Sequence, residues 1–187
     1  NYTNGSGTEP AAQNQDMTLP QGIGLSYPFG TVFSPRVWNG TIYYYSTPGL
    51  AYCFGDGSGS ICPCGNMGVG EEGCQNSLGR GGVLLPGGSA SVALDNLRFT
   101  ALGMPSSRPA LLITGTTHAN GGLGASFGDG FLCAGGSTVK LGVQITGMGG
   151  EASWGAGLLS SGGLQSGTSQ FFQVLYRDSS AMSPCGM

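Results

Sequence analysis

The sequence predicts an all-β fold, a disulfide-stapled β-sandwich or jelly-roll-like domain preceded by an aromatic β-hairpin arm. Three observations carry this. The 187 residues include 38 Gly, against an ordinary usage of about 7%. Glycine costs a helix interior roughly 1 kcal/mol relative to Ala, and no 12-residue window combines helical apolar spacing with few Gly or Pro. From Gly81 onward, apolar and polar residues alternate in short runs separated by glycine turns, the pattern of half-buried strands. Finally, four of the six cysteines fall in the 22 residues from Cys53 to Cys74, between Gly, Ser, Pro, Asp and Asn. Such a segment has too little apolar surface to order itself without crosslinks or a metal. The chain divides into a tail and arm, 1–50, and a Gly/Cys-rich β-domain, 51–187.

Residues 1–18 are polar and read as a tail. They hold two adjacent Asn-x-Ser/Thr acceptors, at Asn1 and Asn4, and Asn39 heads a third; these are glycosylation candidates on an exported chain. The chain opens on Asn1 without an initiator Met or signal peptide, as a mature or excised chain does. Residues 19–50 bring Tyr27, Phe29, Phe33 and Trp38 together with Pro20, Pro28, Pro35 and Pro48. Val37-Trp38-Asn39-Gly40-Thr41-Ile42 is a hairpin signal, with Asn-Gly supplying the turn. Tyr43, Tyr44 and Tyr45 place rings on both faces of the strand that follows. Together with Trp38 they are candidates for an interface, and packing on their own domain is the equally weighted alternative.

In the β-domain, Val92 and Leu94 alternate with polar neighbours, as do Leu97, Phe99 and Ala101. Ala110 to Thr114 is a short apolar run. Thr138 to Ile145 puts Val139, Leu141, Val143 and Ile145 on one face, and Gln170 to Arg177 puts Phe172, Val174 and Tyr176 on one face. Strands at this spacing indicate a sandwich or barrel.

The cysteines Cys53, Cys62, Cys64, Cys74, Cys133 and Cys185 are an even set in a chain with very few lysines, which points to disulfides in an extracellular setting. Six cysteines allow 15 pairings; proximity favours Cys64–Cys74, with Cys133–Cys185 tying the last strands together. Zinc is the rival use, but the pair is Cys-Pro-Cys rather than Cys-x2-Cys, and the single His118 is far off in sequence. Phe-Gly-Asp-Gly occurs twice, so Asp56 and Asp129 are weak calcium candidates; tight turns explain both more simply. No cofactor is expected. Gly124-Ala-Ser126-Phe-Gly128 matches a hydrolase pattern without the strand-to-helix elbow it needs, and Gly68-Val-Gly70-Glu-Glu-Gly73 would set two carboxylates against a pyrophosphate. The reading is not an enzyme. A net charge of −3 argues against nucleic acid, and no apolar run approaches the ~18 residues of a membrane helix.

As a set, Tyr-Cys-Phe-Gly-Asp-Gly-Ser-Gly (52–59), Cys-Pro-Cys-Gly-Asn (62–66), Gly-Cys-Gln-Asn-Ser (73–77), Phe-Gly-Asp-Gly-Phe-Leu-Cys-Ala-Gly-Gly (127–136), Phe-Gln-Val-Leu-Tyr-Arg-Asp (172–178) and Ser-Pro-Cys-Gly (183–186) are familiar. In that order they resemble a Gly/Cys-rich β-domain found at the ends of secreted proteins of planctomycete-type bacteria. The resemblance covers about residues 51–186. It implies an exported, disulfide-bonded module and carries no chemistry. It also implies a further strand after the last cysteine, introduced by a segment like Asn1-Tyr2-Thr3-Asn4-Gly5. The expectation is therefore a structural subunit of an extracellular fibre or surface layer, in which a second copy supplies the missing strand through its N-terminal region; the competing account is a chain simply truncated at Met187. The alternative is a secreted glycan-binding or adhesion module, with Trp38, Trp154 and the tyrosines as stacking platforms.

Overall fold

A computed structural model describes residues 2–13, 17–42, 48–179 and 182–185. The chain forms two compact units, Asn1–Ser46 and Thr47–Met187. Both are built from antiparallel strands, so the all-β class holds.

The first unit contains β1 (Tyr2–Asn4), β2 (Ala12–Gln13), β3 (Thr18–Leu19), β4 (Gly22–Leu25) and β5 (Val32–Trp38). β2 pairs with β3, and β5 is the centre of a three-stranded sheet in the order β1-β5-β4. Its hairpin is β4–β5. The turn is organised by Ser26, whose carbonyl accepts the amides of Phe29 (2.7 Å) and Gly30 (2.9 Å) and whose hydroxyl accepts that of Thr31 (2.8 Å). The hairpin expected at Asn39-Gly40 is not formed among the described residues. β5 already has β1 on one edge, with Tyr2 opposite Trp38, and β4 on the other, with Leu25 opposite Val32. β1 occupies one edge of Val37 and Trp38, and Thr41 and Ile42 form no strand. Tyr43, Tyr44 and Tyr45 lie outside the described residues, as does Asn1.

Polar side chains hold this unit together. Gln21 accepts the Gly7 amide (2.8 Å) and donates to the Glu9 carbonyl (2.5 Å). Arg36 donates to the Asn4 side-chain oxygen (2.5 Å) and lies over the Phe33 ring. Gly24 is the only buried residue described in this unit.

The second unit contains β6 (Val83–Gly87), β7 (Arg98–Leu102), β8 (Pro109–His118), β9 (Ala125–Phe127), β10 (Gly130–Leu132), β11 (Ala134–Ile145), β12 (Ala152–Trp154), the one-turn helix α1 (Leu158–Ser161) and β13 (Phe171–Tyr176). Two three-stranded sheets, β12-β7-β6 and β11-β8-β13, share one core, and β9–β10 is a separate hairpin. The first sheet contributes Phe99, Ala101, Ala152 and Trp154, the second Ala110, Leu112, Phe172 and Val174, and α1 adds Leu158 and Leu159. Alternation in β7 and β13 thus gives the inward faces that the sequence predicts.

Two expectations change. Val92 and Leu94 sit in a turn closed by the Asp95 amide on the Ser91 carbonyl (3.0 Å), not in a strand. The apolar face of β11 is broken between Lys140 and Gly142 by a β-bulge. Beyond it Val143 pairs with Leu111 and Ile145 with Pro109, so both turn outward, 59% and 65% exposed. An extra residue in one strand reverses which face each later side chain takes, and Gly142, at φ 146°, is the residue whose backbone allows it.

All six cysteines pair, as Cys53–Cys133, Cys62–Cys74 and Cys64–Cys185, with Cα–Cα distances of 6.1, 5.8 and 5.5 Å. Cys64–Cys74, which proximity favoured, and Cys133–Cys185, which would have tied the last strands together, are both replaced. Cys62-Pro63-Cys64-Gly65 is a turn closed by the Gly65 amide on the Cys62 carbonyl (2.9 Å). Cys62 points inward to Cys74, and Cys64 is left for the C-terminal segment. Loop closure over separations of 80 and 121 residues contributes about 4–5 kcal/mol each in the chain-entropy picture, and the 12-residue loop about 3 kcal/mol.

Candidate functional site

The two sheets of the second unit close on one side and stay open on the other. On the closed side β11 lies along β12, and the Trp154 indole N–H donates to the Gly142 carbonyl (3.0 Å). On the open side the edge strands are β6 and β13, and neither pairs with a further strand among the described residues. Between them lies an apolar cavity of about 1350 Å³, lined by Leu84, Leu85, Phe99, Phe172, Val174 and Tyr176 among others.

The backbone of β13 is half used. The Arg177 amide bonds the Pro109 carbonyl, continuing the register that sets Tyr176 opposite Ala110 and Val174 opposite Leu112. In an antiparallel ladder, hydrogen-bonded pairs alternate with unbonded ones. Residues 171, 173, 175 and 177 therefore face β8, while Phe172, Val174 and Tyr176 present their N–H and C=O groups to the open side. None of those three makes a backbone bond to another described residue on that side. Their side chains point into the cavity.

Each end of the opening is built by polar or aromatic groups. At the Tyr176 end, buried Asn76 donates to the Gly103 carbonyl (2.7 Å) and the Tyr176 hydroxyl (3.0 Å) and accepts the Leu78 amide (2.9 Å). Asp178 accepts the amide and hydroxyl of Ser77 (2.6 and 2.9 Å). Burial pushes the Tyr176 phenol up, against the Asn76 hydrogen bond and with the nearby carboxylates of Asp178, Asp129 and Glu72. At the Phe171 end, Tyr52 packs edge-on against Phe171 and His118, with centroids 5.9 and 4.5 Å apart. The Tyr52 hydroxyl is buried with no hydrogen-bond partner, the one such side-chain atom among the described residues. Burial raises its pKa to about 12. Tyr52 lines the cavity.

Behind β13 a strap runs from β10 into β11. Gln173 accepts the amides of Cys133 (2.8 Å) and Ala134 (3.2 Å) and donates to the Phe131 carbonyl (2.7 Å). Asn66 does the same for the cysteine-rich loop, donating to the carbonyls of Gln75 (2.6 Å) and Asp129 (2.9 Å). Sequence reading passed over Asn66, Asn76, Gln173 and Tyr52, because a polar residue that satisfies a distant backbone leaves no local pattern.

The metal candidates resolve into turns. Asp56 accepts the Ser58 amide (2.9 Å) and hydroxyl (2.6 Å), and these bonds, the hydroxyl first, lower its pKa. Asp129 sits in the Gly128-Asp129 turn joining β9 to β10 and accepts the Ser183 hydroxyl. It lies beside Cys64 and Cys185, whose sulfurs are spent in a disulfide. The thiolates that a zinc site requires are likewise consumed. Ser126 lies on the exposed hairpin strand β9, away from any strand-to-helix elbow. Trp154 is 3% exposed in the core and offers no sugar platform, whereas Trp38 is exposed on β5. Asn39 is exposed, and the Asn4 side-chain oxygen is engaged by Arg36. Among the described residues no helix is long and apolar enough to cross a membrane, which says nothing of a β-barrel.

No family model, curated protein or solved structure matches this chain.

Proposed function

We propose that the chain is a structural subunit of an extracellular fibre or surface layer, whose copies join by strand addition at β13. One observation carries this: an unprotected sheet edge flanking an apolar cavity. Proteins that stay monomeric blunt their edges with proline, charge or bulges. β6 carries Pro86, and β11 carries a bulge and Lys140. β13, Phe-Phe-Gln-Val-Leu-Tyr, carries none of these. An added strand would meet the free N–H and C=O groups of Phe172, Val174 and Tyr176, fill the cavity with alternate side chains, and offer a carbonyl to the Tyr52 hydroxyl. Three disulfides fit the oxidising, extracellular-type environment such an assembly occupies. The resemblance to secreted Gly/Cys-rich domains agrees with that location.

The alternative, a glycan-binding or adhesion module, draws on the exposed aromatics Tyr27, Phe29 and Trp38, but loses Trp154 to the core. Negative-stain electron microscopy and sedimentation of the purified, oxidised chain at physiological salt separate the two. Ordered polymers without added sugar are expected. A chain that stays monomeric at every concentration while binding a glycan tightly and saturably overturns the proposal.

A further inference from the structure

Resting on that reading, the geometry points to β4 of a second copy as the strand that β13 receives. The sequence pointed to the N-terminal region of a second copy, and within that region Tyr2–Gly5 is engaged at home. β1 pairs with β5 along Tyr2–Asn4, and the Gly5 amide bonds the Pro35 carbonyl (3.1 Å). Among the described residues β4 has one free edge, since the sheet order is β1-β5-β4. The Ser26 amide bonds the Thr31 carbonyl, which makes 26–31 a bonded pair and sets Leu25 opposite Val32 as an unbonded one. Alternation then turns the N–H and C=O groups of Ile23 and Leu25 to the free edge.

The two edges match in phase. Residues directly opposite in an antiparallel pair share a face of the sheet. If Ile23 and Leu25 lie opposite two of Phe172, Val174 and Tyr176, their outward backbone groups bond. Their side chains then fall on the face of Phe172, Val174 and Tyr176, which is the cavity. A shift by one residue would send glycines there instead, because Gly22 and Gly24 are the alternates. Ile23 and Leu25 are 61% and 48% exposed in the single chain, and β4 and β13 belong to separate sheets within it. Neither strand carries a charge or a proline. Ile23, Leu25 and the cavity walls are the apolar complements that strand addition requires.

The test uses the full, oxidised chain carrying Ile23→Pro and Leu25→Pro. Both prolines remove amides that face the free edge and leave those of Gly24 and Ser26, which bond β5, in place. Losing two edge hydrogen bonds and two apolar anchors raises the critical concentration for assembly by about a hundredfold or more, read by sedimentation. The variant keeps an intact β13, so at equimolar ratio it should also shorten wild-type polymers by capping them. If hydrogen exchange shows that the prolines melt the first unit, Ile23→Lys with Leu25→Lys keeps the backbone donors, and the same loss is expected from the side chains alone. If wild type polymerises and both variants polymerise equally well, the assignment of β4 is wrong while strand addition stands. If wild type never polymerises, or its β4 and β13 amides are protected in a monomer, strand addition between copies is wrong as well.

Discussion

Gln173→Ala measures how firmly the strap is held behind β13. The side chain makes three hydrogen bonds to backbone, two accepted from Cys133 and Ala134 and one donated to Phe131. Cys133 and Ala134 are both buried, Ala134 fully. Truncation leaves two amides that water reaches poorly, and each costs about 1–3 kcal/mol when unmet; the Phe131 carbonyl, on a partly exposed residue, is rehydrated at little net cost. The Cys53–Cys133 disulfide keeps the strap from swinging away and opening those amides to solvent. The expected loss is about 3 kcal/mol, against a total of about 5–15 kcal/mol for an ordinary domain. For a unit of this size it lowers Tm by about 10 °C. Urea unfolding of the oxidised protein, with the slope unchanged and the midpoint shifted, is the assay. A Gln173→Ala loss under about 0.5 kcal/mol, the range of ordinary surface substitutions, would refute the argument that these amides depend on Gln173.

The remaining predictions concern pH. Asp95 accepts the Ser160 hydroxyl (2.5 Å) and the amides of Leu159 (2.9 Å) and Ser160 (3.2 Å) at the start of α1, and these bonds, the hydroxyl first, lower its pKa. A folded pKa below the unfolded value of about 3.9 contributes stability that is present above pH ~4 and lost as pH falls through the folded pKa. Asp95→Asn should therefore be less stable than wild type at pH 7 and nearly equal to it in strong acid; urea midpoints that differ as much at pH 2 as at pH 7 contradict this. Tyr52 and Tyr176 act in the opposite direction. Their raised pKa values, about 12 for Tyr52, contribute stability present below the unfolded value of about 10 and lost as pH rises through the folded value. Tyr52→Phe should flatten the loss of stability between about pH 10 and 12, and an unchanged alkaline profile would show that the hydroxyl is not buried as described.

The sheets were legible in the sequence wherever strand period and burial agreed. Leu97, Phe99 and Ala101, and Phe172, Val174 and Tyr176, alternate in sequence and pack against the core in the fold. Legibility failed where one residue's backbone outvotes the pattern. Gly142 resets the phase of β11, so Val143 and Ile145 face outward although spacing alone places them with Leu141. At Asn39-Gly40 the turn chemistry is present, but β1 already pairs with Val37 and Trp38, and Thr41 and Ile42 form no strand. The disulfides failed for a similar reason. Spacing ranks pairs by contour length, whereas a turn at Pro63 aims two cysteines one residue apart in different directions. The open groove could not be read at all, because it depends on which strand edges remain unpaired once the sheets have assembled.

The two units have complementary deficits. The first holds a three-stranded sheet with neither a cysteine nor a buried apolar side chain among its described residues, and chains of about 40 residues rarely order themselves without staples, metals or partners. Ile23, Leu25, Val32 and Phe33 stay exposed. The second unit is stapled three times over and still leaves an apolar cavity beside an edge unpaired among the described residues. Burying Ile23 and Leu25 there would contribute about 3–6 kcal/mol before the cost of association, to which edge hydrogen bonds add. On the proposed reading, a sequence that protects β6 with Pro86 and leaves β13 bare would concentrate this interaction at one place. That asymmetry would separate the proposed head-to-tail joint, of the kind that propagates along a fibre, from indiscriminate edge-to-edge aggregation.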